Sequence, residues 1–150
     1  MFHIIVISSQ LLQLNLILIK YIMDNYLVDL LIKGAILVGL DLPFLQFITT
    51  YFYNDLIPTL TGKQLSVPMI PRNILSIGAA YLAMGLALKE LVKDNRSAFV
   101  VGIVIYATYS FTNMVIFQDW NPTLAIIETI WGGILYLMAF NVLKYFNMVQ

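Results

Sequence analysis

The sequence predicts an all-α protein, a polytopic transmembrane helix bundle with four core spans and an N-terminal apolar helix. Three observations carry that prediction. The chain has 150 residues, 61% of them apolar and 11% charged, with a mean hydropathy of +0.87. A water-soluble domain is about half apolar and about a quarter charged, so this chain has too little polar surface to cover a globule in water. Four apolar runs approach the roughly 20 residues that one crossing needs. Turn chemistry or charge separates them.

The first apolar run, residues 2–19, carries no charge but holds Ser8, Ser9, Gln10, Gln13 and Asn15. It lacks the basic start and small-residue cleavage site of a signal peptide. It reads as a marginal span or a helix lying in the interface. Met23 offers an alternative start, which places residues 1–22 apart from a single bundle domain at 23–150.

The first strong span covers residues 34–53. On a helical wheel at about 100° per residue, Gly34, Leu37, Asp41, Phe44, Leu45 and Phe52 share a face. Pro43 removes the backbone bond to the Gly39 carbonyl and predicts a kink. Residues 54–72 hold three prolines and a glycine and read as a loop. The second span, 73–88, presents Ala79, Ala83 and Ala87 at four-residue spacing, a small-residue face for close helix contact. The basic stretch KELVKDNR leads into the third span, 97–117.

In the third span, Gly102, Tyr106, Tyr109, Ser110 and Asn113 fall within an arc of about 100°. Thr108 and Thr112 stand apart, where a hydroxyl bonds back to its own helix. The link QDWNP is short enough to force an antiparallel hairpin. Asn121 caps the next helix and Pro122 takes its first position. Trp120 is the expected interface anchor. The fourth span, 123–142, carries a facing stripe of Ala125, Glu128, Trp131, Gly132, Leu135 and Ala139. The expected bonds are from Asn113 or Tyr109 to Glu128 and from Tyr106 to Asp41.

Basic residues set the orientation. Lys20, Lys33, Lys89, Lys93, Arg96 and Lys144 gather on one side, against Lys63 and Arg72 on the other. The C-terminus and the Lys89–Arg96 loop are therefore expected on the cytoplasmic-type side.

The chemistry available is narrow. Cysteine is absent and His3 is the single histidine. That leaves no thiolate, no sulfur-ligated metal and no histidine relay within one chain, and no cofactor is expected. Zero net charge gives no electrostatic footprint for nucleic acid. What stands out is acid inside hydrocarbon, which is costly and rarely without purpose. The candidate polar site is Asp41, Tyr106, Tyr109, Ser110, Asn113, Glu128 and Trp131.

The run YATYSFTN, then Trp120, then IETIWGG resembles the C-terminal signature of a family of small membrane proteins, domain of unknown function 2177. Tyr106, Ala107, Thr108, Tyr109, Thr112, Asn113, Trp120, Trp131 and Gly132 match in order. Ser110 and Glu128 both stand where that family has Asp. LDLPFL resembles the family's Leu-Asp-x-x-Trp-Leu, with Phe44 in place of Trp. The resemblance covers about residues 34–142. It implies a four-helix membrane protein without an assigned activity, in a family found in bacteria and large DNA viruses.

Three function classes follow, in order of expectation. The first is a structural or assembly component of a membrane, a virion membrane included. Its partners would be the lipid bilayer, a second copy of itself, or other membrane or capsid proteins. The second is a small transporter or channel subunit using Asp41 and Glu128. The third is a membrane enzyme, for which the sequence offers no nucleophile, metal cluster or phosphate loop. No enzymatic activity is expected.

Overall fold

A computed structural model describes residues 2–66, 68 and 70–148, with side chains described from residue 25 onward. Every secondary-structure element of the described chain is a helix, and there are no strands. Helix α1 spans Phe2–Ile48, a π turn follows at Thr49–Tyr53, and α2 spans Asn54–Thr61. Then come α3 (Pro71–Leu91), α4 (Asn95–Ile116) and α5 (Pro122–Tyr145). Of these, α3, α4 and α5 are each long and apolar enough to cross a membrane.

Residues 2–22, expected as a helix of their own, run into the next segment without a break. Whether their side chains meet lipid lies outside the described residues. The 47 residues of α1 make a rod of about 70 Å at 1.5 Å per residue. Such a rod is over twice the ~30 Å hydrocarbon thickness. The helix also continues through Pro43. A change from α to π geometry comes later, where the Asn54 amide reaches back five residues to the Thr49 carbonyl.

That π turn carries a consequence for register. In a regular helix Tyr53 would lie about 120° around from Asp41, and Phe52 about 20°. One extra residue in the turn moves Tyr53 back by about 100°, into the place the wheel assigns to Phe52. Deleting Thr50 should therefore be tolerated, because it restores α geometry and leaves Tyr53 on the same face. Deleting Val38, in regular helix, should not be. Thermal unfolding of both deletions in detergent checks this; equal destabilisation would contradict it.

The segment expected as a loop at 54–72 is half helical. Pro58 is accommodated inside α2, and Gly62 ends it at φ 68°, with its amide bonded to the Pro58 carbonyl. Left-handed backbone at a helix end favours glycine. Helix α3 starts with Pro71 at its first position. Helix α4 starts with a capping box, in which Asp94 accepts from the Ser97 amide and Ser97 accepts from the Asp94 amide. Hydrogen bonding by the Ser97 amide holds the Asp94 carboxyl below its usual range. Asn121 caps α5 through the Thr123 and Leu124 amides. Its far end closes with Met148 N–H on the Leu143 carbonyl and Asn147 N–H on the Lys144 carbonyl. Asn147 takes φ 55° there, the arrangement of a Schellman cap.

Helices α4 and α5 form the most extensive pair, and α1 packs on α3. The α4–α5 seam follows the four-residue row Ala98, Gly102, Tyr106, Ser110. A Cβ on Gly102 would stand 2.0 Å from the Gly132 carbonyl oxygen, so two backbones touch here. The α1–α3 contact uses Gly34 and Gly85, where a Cβ on Gly85 would stand 3.0 Å from the Gly34 nitrogen. Of the alanine face expected to serve this purpose, Ala87 packs against the core, whereas Ala79 and Ala83 are exposed. Ala83 lies about 200° from Gly85 on the wheel, so the glycine contact turns it outward. Tyr136, fully buried, donates to the Met84 carbonyl at 2.9 Å and ties α5 to α3.

Candidate functional site

Two carboxyl groups lie inside the bundle. Asp41 is 3% exposed and Glu128 is 4% exposed. Burying such a group without partners is costly, so the first question is where their oxygens go.

Asp41 sits on α1 and faces all three other long helices. Its Oδ2 accepts from the Tyr81 hydroxyl at 2.7 Å and from the Tyr106 hydroxyl at 3.0 Å. Its Oδ1 accepts from Trp131 Nε1 at 2.6 Å. Those donors come from α3, α4 and α5, one each. Phe44, one turn beyond Asp41, stacks on Trp131 with ring centroids 4.4 Å apart and planes 8° apart. Helix α1 therefore grips the indole on its face and at its N–H. Tyr106 is where the wheel put it. Tyr81 does not follow from the spacing, because the small-residue pattern marks another face of its helix.

Glu128 on α5 has two partners. Ser110 donates to Oε2 at 2.6 Å, and Tyr53 donates to Oε1. The expected bonds to Asn113 and Tyr109 are absent from the described structure. Tyr109 is exposed, and Asn113 lines a neighbouring cavity. The cause is the slope of the seam. A straight stripe assumes parallel axes, whereas the contact row rises by four residues and drifts about 40° per step. By the level of Glu128 that drift has carried Ser110, not Tyr109 or Asn113, into the interface. Tyr53 is delivered by the π turn, which no periodicity count includes.

Among the described residues, neither carboxyl meets a cation. The ion pairs among the described residues are Lys33 and Lys89 with Asp29, at the opposite end of the α3 and α5 helices from Trp120. Both buried acids are satisfied by neutral hydroxyl and indole donors. No cluster of metal-ligating residues occurs among the described residues.

Trp120, expected as an anchor at the membrane surface, is 5% exposed. It is walled in by Tyr53, Tyr109 and Phe117, with ring centroids 6.0–6.4 Å away. The QDWNP turn folds the indole back over the helix ends instead of outward, into a second core with Ile48, Leu124 and Ala125.

The seven site residues thus divide into two groups and two outliers. Asp41, Tyr106 and Trp131 meet with Tyr81. Ser110 and Glu128 meet with Tyr53. Tyr109 and Asn113 border the cavity beside the second group. The family model for predicted membrane proteins of domain of unknown function 2177 matches residues 26–143. The chain belongs to that family. In this DUF2177 protein the matched span includes both acids and every donor that reaches them. No curated protein and no solved structure matches the chain.

Proposed function

We propose that this DUF2177 protein is a structural or assembly component of a membrane, with its two buried acids acting as helix clamps. Four crossings are assigned to the 34–53 region of α1 and to α3, α4 and α5. The C-terminus and the Lys89–Arg96 loop are placed on the cytoplasmic-type side by the positive-inside rule. Catalysis and a cofactor form no part of this role.

One observation carries the proposal. Each carboxyl is closed to solvent, and its oxygens are already taken by donors from neighbouring helices. A transport or catalytic acid needs a path for its substrate and access to water. A clamp needs neither. Interhelical hydrogen bonds in membranes average about 0.6 kcal/mol, so such clamps chiefly set register.

The alternative is a transporter or channel subunit working through Asp41 and Glu128. It draws on Tyr53, which bonds Glu128 and also lines a cavity. Proteoliposomes separate the two. The clamp role expects no pH-driven flux from the wild type, and expects Asp41→Asn and Glu128→Gln to alter stability alone. Flux that disappears in both variants would establish the alternative. A cellular membrane and a virion membrane are both settings for a structural role. Fractionation, with the proteins that co-purify, assigns the setting and tells a homo-oligomer from a complex with other membrane or capsid proteins.

A further inference from the structure

Beside the Glu128 group lies a cavity of about 480 Å³. That volume falls within the range of roughly 300–1,000 Å³ of small-molecule sites. Leu45, Ile77 and Phe117 make its walls mainly apolar, and among the described residues no charged one lines it. Its polar groups are Thr49, Asn113, Tyr53, Tyr109 and Trp120.

Exposed polar side chains on the helices, Asn54, Thr123 and Thr112 among them, stand without a partner among the described residues, the last against the expected bond to its own helix; others are satisfied within their own helix. Thr50, Thr59, Ser76, Thr108, Thr129 and Asn141 each bond a carbonyl four residues back. The side chains of Thr49 and Asn113 make no hydrogen bond among the described residues. Trp120 Nε1 is buried and has no acceptor among the described residues. A buried donor without a partner costs about 1–3 kcal/mol, and in native structures it usually signals something that completes the site. Here the unpaired groups surround one apolar cavity.

We propose that this cavity binds a neutral single-chain amphiphile, an apolar chain ending in hydroxyl or ester oxygens. The chain suits the Leu45, Ile77 and Phe117 walls. The oxygens bond Asn113, Thr49 and Trp120. A charged head is disfavoured: no basic side chain is present to pair with an anion, and the Glu128 carboxyl lies just behind Tyr53. Within the membrane such a ligand enters sideways from one leaflet. The site is separate from the clamp role, because none of the three polar groups that hold the ligand bonds either acid.

Quenching of tryptophan fluorescence by brominated lipids tests this, with the full chain in phosphatidylcholine nanodiscs. Brominated monoacylglycerol is expected to quench saturably. Its half-maximal mole fraction should be at least tenfold below that of brominated phosphatidylcholine. Trp120→Phe should lose the saturable component, leaving Trp131 alone. Asn113→Leu should raise the half-maximal mole fraction at least tenfold. The near-isosteric Thr49→Val, which spares the fold, should raise it at least threefold. Three results would overturn the proposal: quenching by monoacylglycerol that only rises linearly, saturable quenching that persists in Trp120→Phe, or equal saturable quenching by a brominated fatty acid.

Discussion

Replacing Gly102 by alanine is expected to break the α4–α5 pair. The new Cβ would lie 2.0 Å from the Gly132 carbonyl oxygen, 2.6 Å from the Gly132 carbonyl carbon and 3.0 Å from Gly133 Cα. All three are backbone atoms, so no side chain can swing away. The helices must separate, and separation also pulls Ser110 from Glu128 and Tyr106 from Asp41. Overpacking alone costs about 1–3 kcal/mol. With the lost hydrogen bonds added, the variant should be destabilised by roughly 3 kcal/mol or more. Gly132→Ala should behave similarly, meeting the Tyr106 ring at 2.5 Å and the Gly102 oxygen at 2.6 Å. Gly78→Ala is the control: nothing lies within 4 Å of its Cβ, and alanine favours helix by about 1 kcal/mol. Reversible unfolding in mixed detergent micelles measures all three. Gly102→Ala within 1 kcal/mol of the wild type would contradict the close contact.

The second large effect is expected at Asp41. Asp41→Leu keeps the bulk but leaves two tyrosine hydroxyls and one indole N–H without their acceptor. Each orphaned buried donor costs about 1–3 kcal/mol, so the sum is about 3 kcal/mol even at the low end. Asp41→Asn should cost much less. Its carbonyl oxygen can still accept from Trp131, and a tyrosine hydroxyl can accept from its amide. The ordering Leu worse than Asn, read from the same unfolding transitions, is the signature of a hydrogen-bonded clamp. Equal losses would mean that the carboxyl's charge, not its acceptors, holds the helices. Near ultraviolet circular dichroism gives a second readout, since Trp131 is fixed jointly by Asp41 and by Phe44.

Much of this site could be read from residue spacing. Asp41 and Glu128 announce themselves as acids in apolar runs. Tyr106 and Trp131 follow from 3.6-residue periodicity, and the Asn121–Pro122 start of α5 follows from capping chemistry. Tyr53 and Tyr81 did not follow. A wheel drawn at constant pitch puts Phe52 in the place Tyr53 takes, because the π turn leaves no mark in hydrophobicity. Tyr81 shares its helix with an alanine row that looked like the packing face. Only the approach of Gly34 to Gly85 decides that the opposite face is used. Spacing points Glu128 to the wrong partner for a related reason. Spacing within one helix does not reveal how two helix axes slope across each other. Fold class depends on composition and survives such errors; individual side-chain partners depend on register and do not.

The bonding of Asp41 also bears on biosynthesis. Its three partners lie at residues 81, 106 and 131, all made after it. On the four-crossing assignment, the segment carrying Asp41 reaches the insertion machinery about ninety residues before Trp131 exists. An aspartate at the centre of an inserting helix costs about 2.5–3.5 kcal/mol. Tyr81 and Tyr106 offset part of that cost as α3 and α4 emerge, and the rest stands until α5 arrives. The first span should therefore linger at the translocon or at the membrane surface, and integrate as the last hairpin emerges. In chains truncated before residue 131 the 34–53 segment should stay out of the bilayer, and in full-length chains it should cross; glycosylation-site mapping of the 54–70 region reads the difference.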